Sequence, residues 1–200
     1  MKKLEVRRQL VHLSLGLVLV ILLYSGFLKY IGHFFPIYFL KSEARPIFLI
    51  FIFGFLLSIL SRRFALPIIK WFLAKFERKN EEPGRGALYG ALGSFLVINF
   101  FSNQIALASI IILAIGDSLS HLIGKNYGKI SNPLKPDKKI EGSFIGFLGG
   151  FLGAIFFVST IEAFIASFTA MSLESFDLII DDNLSIPIIA ALAIQIIHYL

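Results

Sequence analysis

Apolar residues in this chain come in long blocks, at or near the length that crosses a bilayer: about Leu10–Ile31, from after Pro46 to Leu60, Ala87–Phe101, Ile105–Ile123, Ser143–Glu174 and Leu184–Leu200. A helix needs roughly 20 predominantly apolar residues to span the hydrocarbon core, with about 17 as the lower working length. A soluble domain would instead distribute such residues periodically over one face of each element. The composition agrees. The 200 residues are 56% hydrophobic and 16% charged, against roughly 45–50% and 25% in ordinary soluble domains. Mean hydropathy is +0.81. These features predict an all-α, polytopic transmembrane helix bundle. With no cysteine in the chain, disulfides, thiolate zinc sites and cysteine nucleophiles are excluded.

The blocks give six or seven helices in one domain over residues 1–200. Ser102-Asn103 marks a short turn between the third and fourth spans. Ser143–Glu174 reads either as one tilted helix or as a hairpin broken near Ser159-Thr160. Met1–Arg8 ahead of an apolar block has the outline of a signal peptide. That block is too long and no small-residue cleavage site follows it, so a retained first span is expected. Over 62–79, Arg62, Arg63, Lys70, Lys75 and Arg78 alternate with Phe64, Ile68, Trp71, Phe72 and Phe76, the pattern of a helix lying in the membrane surface. Residues 124–142 form the longest polar stretch.

The net charge of +6 sits between the apolar blocks, which favours a lipid surface or a phosphate-bearing substrate over nucleic acid. Basic clusters precede the first span, follow the second and follow the fourth. With four spans before residue 124, all three clusters share one side. By the positive-inside rule that side, and the N-terminus with it, is cytoplasmic.

Ionisable residues within or beside spans are costly and mark function. Four groups stand out. Arg7, Arg8 and His12 open the first helix; Arg8 and His12, four apart, share a face. Their plainer role is orientation charge with an interfacial histidine. Asp117 falls inside the fourth block, where a buried carboxylate needs a cation or metal to offset its desolvation; Ser118, Ser120 and His121 lie close by. Gly124, Lys125, Gly128 and Lys129, then Lys138, Lys139, Glu141, Gly142 and Ser143, combine glycine backbone N–H groups with positive charge, which suits phosphate. The spacing is not that of a Walker A loop, and the plainer role is a basic loop that sets orientation. Asp181-Asp182-Asn183 precedes the last span, where one of them suffices as a helix cap and Pro187 fits a first turn. Two adjacent carboxylates equally suit Mg²⁺, which takes carboxylate oxygen together with substrate phosphate. Together these groups imply phosphoryl or nucleotidyl transfer to a lipid.

The same residues resemble a known family, the dolichol and phytol kinases together with the CTP-dependent diacylglycerol kinases. The resemblance rests on Arg7-Arg8…His12…Gly16, Gly116-Asp117, Gly124-Lys125-Asn126-Tyr127-Gly128-Lys129, Lys138-Lys139-Ile140-Glu141-Gly142-Ser143, and Glu174 with Asp181-Asp182-Asn183-Leu184-Ser185-Ile186-Pro187. The central motif is similar to that of CTP:phosphatidate cytidylyltransferases. Those enzymes end in a glycine-rich segment before their acidic motif, which is lacking here. Lys139 departs from the family, which places Ser or Thr after the lysine of Lys-x-x-Glu-Gly-Ser.

The resemblance implies a CTP-dependent kinase that phosphorylates the hydroxyl of a membrane lipid alcohol: a polyprenol, a phytol-like alcohol or diacylglycerol. It implies Mg²⁺ held by Asp117, Asp181 and Asp182, with Glu141 among the catalytic residues. The nucleotide would lie on Gly124, Lys125, Gly128, Lys129, Lys138, Lys139, Gly142 and Ser143, with Arg7, Arg8, His12, Glu174 and Asn183 in support. The implied setting is a prokaryotic cytoplasmic membrane with the active site on the cytoplasmic face. A shared site for Asp181-Asp182 and Lys125–Lys139 needs an even number of crossings in Ser143–Glu174, hence the hairpin and seven spans. The rival activities are a CTP:lipid-phosphate cytidylyltransferase and an ion-coupled transporter. A transporter fits less well, because no inverted repeat with paired broken helices is visible. Oligomeric state is open.

Overall fold

The computed structural model describes residues 2–64, 75, 82–176 and 180–199. Helix follows helix: α1 (Lys2–Tyr24), α2 (Phe27–Gly32), α3 (Ala44–Arg63), α4 (Arg85–Phe100), α5 (Asn103–Ile111), a π turn (Ile112–Asp117), α6 (Ser118–Tyr127), α7 (Ile140–Ala154), α8 (Thr160–Glu174) and α9 (Asp182–His198). The expected surface helix over 62–79 lies largely outside the described residues.

α5, the π turn and α6 run on as one 25-residue helix, Asn103–Tyr127, and 78% of its most apolar window is buried. The corresponding shares are 17% for Leu4–Tyr24 and 22% for Ala44–Ser61. The long helix is therefore the axis of the bundle, and α1 and α3 leave most of their apolar surface unburied. A helix that is apolar all round has to be enclosed or membrane-embedded. α1, α7 and α9 pack on the axis, α8 packs on both α7 and α9, and α4 bridges α9 to α3. Ile98, Ile110, Ile112, Ile186 and Ile194 are wholly enclosed.

Three helices among the described residues have the length and composition to cross a membrane; α7 and α9 are apolar but shorter. This is a helical, integral membrane architecture. A count of seven spans requires the 15- to 17-residue helices to cross as well.

Several boundaries differ from expectation for identifiable reasons. The first helix starts at Lys2 and stops at Tyr24, because Gly26 takes a left-handed φ of 74° that reverses the chain into α2. Glu5, Arg8, Gln9 and His12 are thus helical residues on successive turns. Residues 143–174 do break into a hairpin. Ser159 Oγ accepts from the Glu162 backbone N–H while the Glu162 carboxylate accepts from the Ser159 N–H, a reciprocal cap that starts a new helix. α6 continues to Tyr127, so Gly124–Tyr127 are its last turn and the connecting loop is only 128–139. That loop is closed by backbone bonds Asn132 N–H to Lys138 O (3.0 Å) and Ile140 N–H to Ile130 O (3.0 Å). Pro187 is the sixth residue of α9, past its first turn.

α7 lies unusually close to the axis. Gly142, Gly146, Gly150 and Ala154, spaced by four, form its buried stripe. A Cβ on Gly146 would come within 2.6 Å of the Gly116 carbonyl oxygen and 2.9 Å of Ser120 Cβ. Small residues at such spacing let membrane helices meet backbone to backbone. The contact matters for the site, because it draws the start of α7 and the loop before it against Asp117 and Ser120.

Gly146→Ala should therefore destabilise the protein by about 1–3 kcal/mol through overpacking, read as a lower unfolding midpoint in detergent. Leu152→Ala, on the exposed face of the same helix, should leave the midpoint nearly unchanged. Equal effects from the two would contradict the close α7 contact.

Candidate functional site

One end of the bundle gathers the start of α1, the end of the axial helix, the loop 128–139, the start of α7, the end of α8 and the start of α9. Most of the chain's unexpected polar residues meet there. Asp117 closes the π turn. Such turns are rare single-turn insertions found mostly at functional sites. Glu174 ends α8 and Asp182 starts α9. Ligand-type atoms of Asp117, His121, Glu174 and Asp182 all lie within 4.8 Å of one another. Asp117 is 5% exposed and Glu174 1%.

Three carboxylates this close repel one another unless cations intervene. Lys138 is the nearest. Its ammonium bonds Glu174 Oε1 and lies 3.0 Å from Asp182 Oδ2. Lys135 Nζ is 3.2 Å from the same Asp182 oxygen. On the far side, His121 Nε2 stands 3.4 Å from Asp117 Oδ1 and His12 Nε2 3.9 Å from Asp117 Oδ2. Burial works against the charge on Lys138, but Glu174, Asp117 and Asp182 outweigh it and hold the pKa above the ordinary lysine value. The ammonium therefore stays charged through neutral pH.

The carboxylates are not fully satisfied by these partners. Asp117 Oδ1 and Glu174 Oε2 are buried without a hydrogen bond, as are His12 Nε2 and Gln9 Oε1. Unpaired buried acceptors are costly and call for an explanation. A hard divalent cation supplies one, since it takes carboxylate oxygens at short range and completes its shell with water and phosphate. The donor set of Asp117, Glu174 and Asp182 fits Mg²⁺ on this chemistry. His121 is better suited to orienting Asp117.

The remaining sequence candidates surround this cluster in different roles. Asp181 does not join it. Its Oδ1 caps α9 by accepting from the Asn183 backbone N–H (3.1 Å) and side-chain amide (2.9 Å), and its Oδ2 accepts from Arg85 Nε (3.2 Å). Glu141 Oε1 accepts from the backbone N–H groups of Lys129 (2.9 Å) and Ile130 (3.0 Å), pinning the loop to the start of α7. Lys139 Nζ donates to Ser131 Oγ at 2.7 Å, and Ser143 Oγ accepts from Ser175 Oγ at 3.2 Å. Gly124 and Gly142 face each other where α6 and α7 converge, and Gly128 sits against Lys139. Lys129 and Arg7 are exposed.

Lys125 ties the axial helix to α1 through Glu5 Oε2 at 2.6 Å. Glu5 Oε1 meanwhile accepts from Arg8 Nη2 (2.7 Å) and Gln9 Nε2 (3.1 Å). This network holds His12 over Asp117.

Four participants receive no site role from the sequence: His121, noted there only as a neighbour of Asp117, with Lys135, Glu5 and Arg85. His121 carries a usable signal, since it lies four residues after Asp117 on the same helix face. Glu5 has the same relation to Gln9. Lys135 and Arg85 reach the site through a loop and a neighbouring helix, which no local spacing reveals.

The chain is similar to an uncharacterized protein of Methanocaldococcus jannaschii, with 29% identity over 196 residues, covering 96% of this chain and 93% of that one. It is 26% identical over 149 residues to CTP-dependent diacylglycerol kinase 1 of Saccharomyces cerevisiae, covering 73% of this chain and 48% of the yeast protein. It is 25% identical over 207 residues to probable phytol kinase 2, chloroplastic, of Oryza sativa subsp. japonica, covering 92% and 63%. The chain spans 41% to 63% of the length of the named kinases it matches. No family model matches it, and no solved structure matches it significantly.

Breaking a buried ion pair from one side costs about 3–5 kcal/mol, whereas replacing both partners by apolar groups costs far less. Lys138→Met alone should therefore lower the metal-free unfolding midpoint more than the double change Lys138→Met/Glu174→Leu. Equal losses would show that the pair is not a buried unit.

Proposed function

We propose that this chain, a member of the family of phytol kinases and CTP-dependent diacylglycerol kinases, is a lipid kinase that transfers the γ-phosphoryl group of CTP to the hydroxyl of a membrane lipid alcohol. The acceptor class comprises polyprenols, phytol-like alcohols and diacylglycerol. The observation that carries this reading is the meeting of Asp117, Glu174 and Asp182 with Lys138 and Lys135 at one end of a membrane bundle. Carboxylates for a cation beside lysines for phosphate, at the boundary where a lipid hydroxyl lies, are the parts that phosphoryl transfer needs.

Such transfer asks little covalent work of a protein and is mainly positioning and charge stabilisation. The acceptor oxygen bonds to the γ-phosphorus as the bond to the β–γ bridging oxygen breaks, CDP departs, and the hydroxyl proton passes to a carboxylate. Asp117 is the first candidate for that proton, being buried with one oxygen that accepts no hydrogen bond. Mg²⁺, when bound by Asp117, Glu174 and Asp182, supplies charge neutralisation on the phosphates. Lys138 and Lys135 face the same volume and offset the triphosphate. Lys129 and the exposed Lys125 line its approach. Glu141 holds the loop in shape, and Asp181 with Arg85 and Asn183 sets the start of α9 so that Asp182 points inward. Seven spans with this end cytoplasmic complete the proposal.

Purified protein incubated with labelled CTP or ATP, Mg²⁺ and a panel of lipid alcohols should yield a phosphorylated lipid and CDP. Release of pyrophosphate with a cytidylylated lipid would replace this reading by the cytidylyltransferase one. Asp117→Asn and Asp182→Asn should each stay inserted while losing about 10²–10³ in turnover, the usual cost of removing one electrostatic contributor. Near-normal turnover in both would remove the cluster from catalysis.

A further inference from the structure

The cluster holds a cation of its own. Lys138 is 7% exposed, and its ammonium lies between Glu174 and Asp182, two of the three carboxylates fitted to a divalent ion. Glu174 Oε1 is shared between Lys138 and Ser120 Oγ, the latter at 3.1 Å, while Glu174 Oε2 has no hydrogen-bond partner. An ammonium and a divalent cation cannot both use the facing oxygens of Glu174 and Asp182, because like charges at such range repel strongly in a poorly solvated site.

We infer that Lys138 is an internal counter-cation, occupying the metal position in the resting site and moving off it when the metal enters. This rests on the metal reading proposed above and adds the order of events at that site. Without Lys138 the resting cluster would hold three facing carboxylates, two of them buried, against a single flanking lysine. With Lys138 in place the cluster is close to charge balance and stays preformed in the absence of ligand.

The arrangement has a consequence for binding. Metal alone must displace an ion-paired lysine and leave its ammonium without a partner. Metal arriving with a nucleotide displaces the same ammonium onto phosphate oxygen. The two ligands therefore assist each other, and the protein discriminates against metal without nucleotide. Ser131, Lys139 and Glu141 bond within the loop, so its frame can persist while the Lys138 side chain swings.

Two measurements test this. In the wild-type protein, acetylation of lysines by an amine-reactive ester is followed by mass spectrometry with and without Mn²⁺, no nucleotide being present. Lys138 labelling should accelerate at least about fivefold with Mn²⁺, within the usual span of coupling between two sites. Exposed Lys129 serves as the unchanged reference. In Lys138→Met, Mn²⁺ affinity without nucleotide, read by electron paramagnetic resonance, should rise about tenfold over wild type.

If wild-type protein binds Mn²⁺ with CDP in a manner lost in Asp117→Asn, yet Lys138 labelling ignores the metal, the counter-cation role is wrong and the metal site stands. Unchanged or weaker Mn²⁺ binding in a folded Lys138→Met protein is equally adverse. If Asp117-dependent Mn²⁺ binding is absent altogether, the metal reading fails and this inference with it. Should Lys138→Met not fold, the wild-type labelling decides.

Discussion

The arrangement of this end of the bundle depends on the contact between Lys138 and Glu174. Glu174 is almost wholly enclosed, and a carboxylate there is tenable only with a cation against it. Lys138 is delivered by the loop between α6 and α7, and Glu174 by the end of α8. Satisfying one therefore requires that loop to fold down onto the helix hairpin. Once it does, Asp182 at the start of α9 falls within reach of the same ammonium, and Asp117 on the axial helix completes the group. Four segments of the chain are thus held by one charge requirement.

Packing makes that requirement attainable. The buried stripe of Gly142, Gly146 and Gly150 brings α7 against the axial helix at near backbone contact. A bulkier stripe would push the loop outward and take Lys138 away from Glu174. The reciprocal cap at Ser159 and Glu162 turns the chain at the other end, returning α8 to the side from which α7 set out. On the proposed reading, a lipid acceptor would be selected by location, because the cluster sits at the end of helices whose outer faces are apolar.

Much of this was legible beforehand, and what was not has physical reasons. Blocks of apolar residues announce membrane helices because lipid imposes a length and composition on any spanning segment. Asp117 was visible because a carboxylate within such a block is expensive. The Asp181-Asp182 pair was visible as a pair, but its division of labour was not. Both residues are the same type at adjacent positions, and the change from extended backbone at Asp181 to helix at Asp182 gives the first to the cap and Arg85 and the second to the cluster. The end of the first span was misplaced because Gly26 breaks the helix inside an apolar run, where hydropathy carries no signal. Lys135 and Arg85 are tertiary partners, and nothing local in their neighbourhoods separates them from the chain's other basic residues. The glycine-lysine motif read as a loop is partly helix, since α6 runs on through Lys125 to Tyr127.

On the proposed reading, Asp117, Glu174 and Asp182 form one cation site that Lys138 guards. Anomalous scattering from crystals of the protein grown with Mn²⁺ and CDP addresses it directly. One strong peak is expected about 2.0–2.2 Å from oxygens of all three carboxylates, the distance of a small hard divalent ion, with the Lys138 ammonium turned onto phosphate. A peak elsewhere, or an empty cluster with Lys138 still bonded to Glu174 while nucleotide is bound, would contradict it.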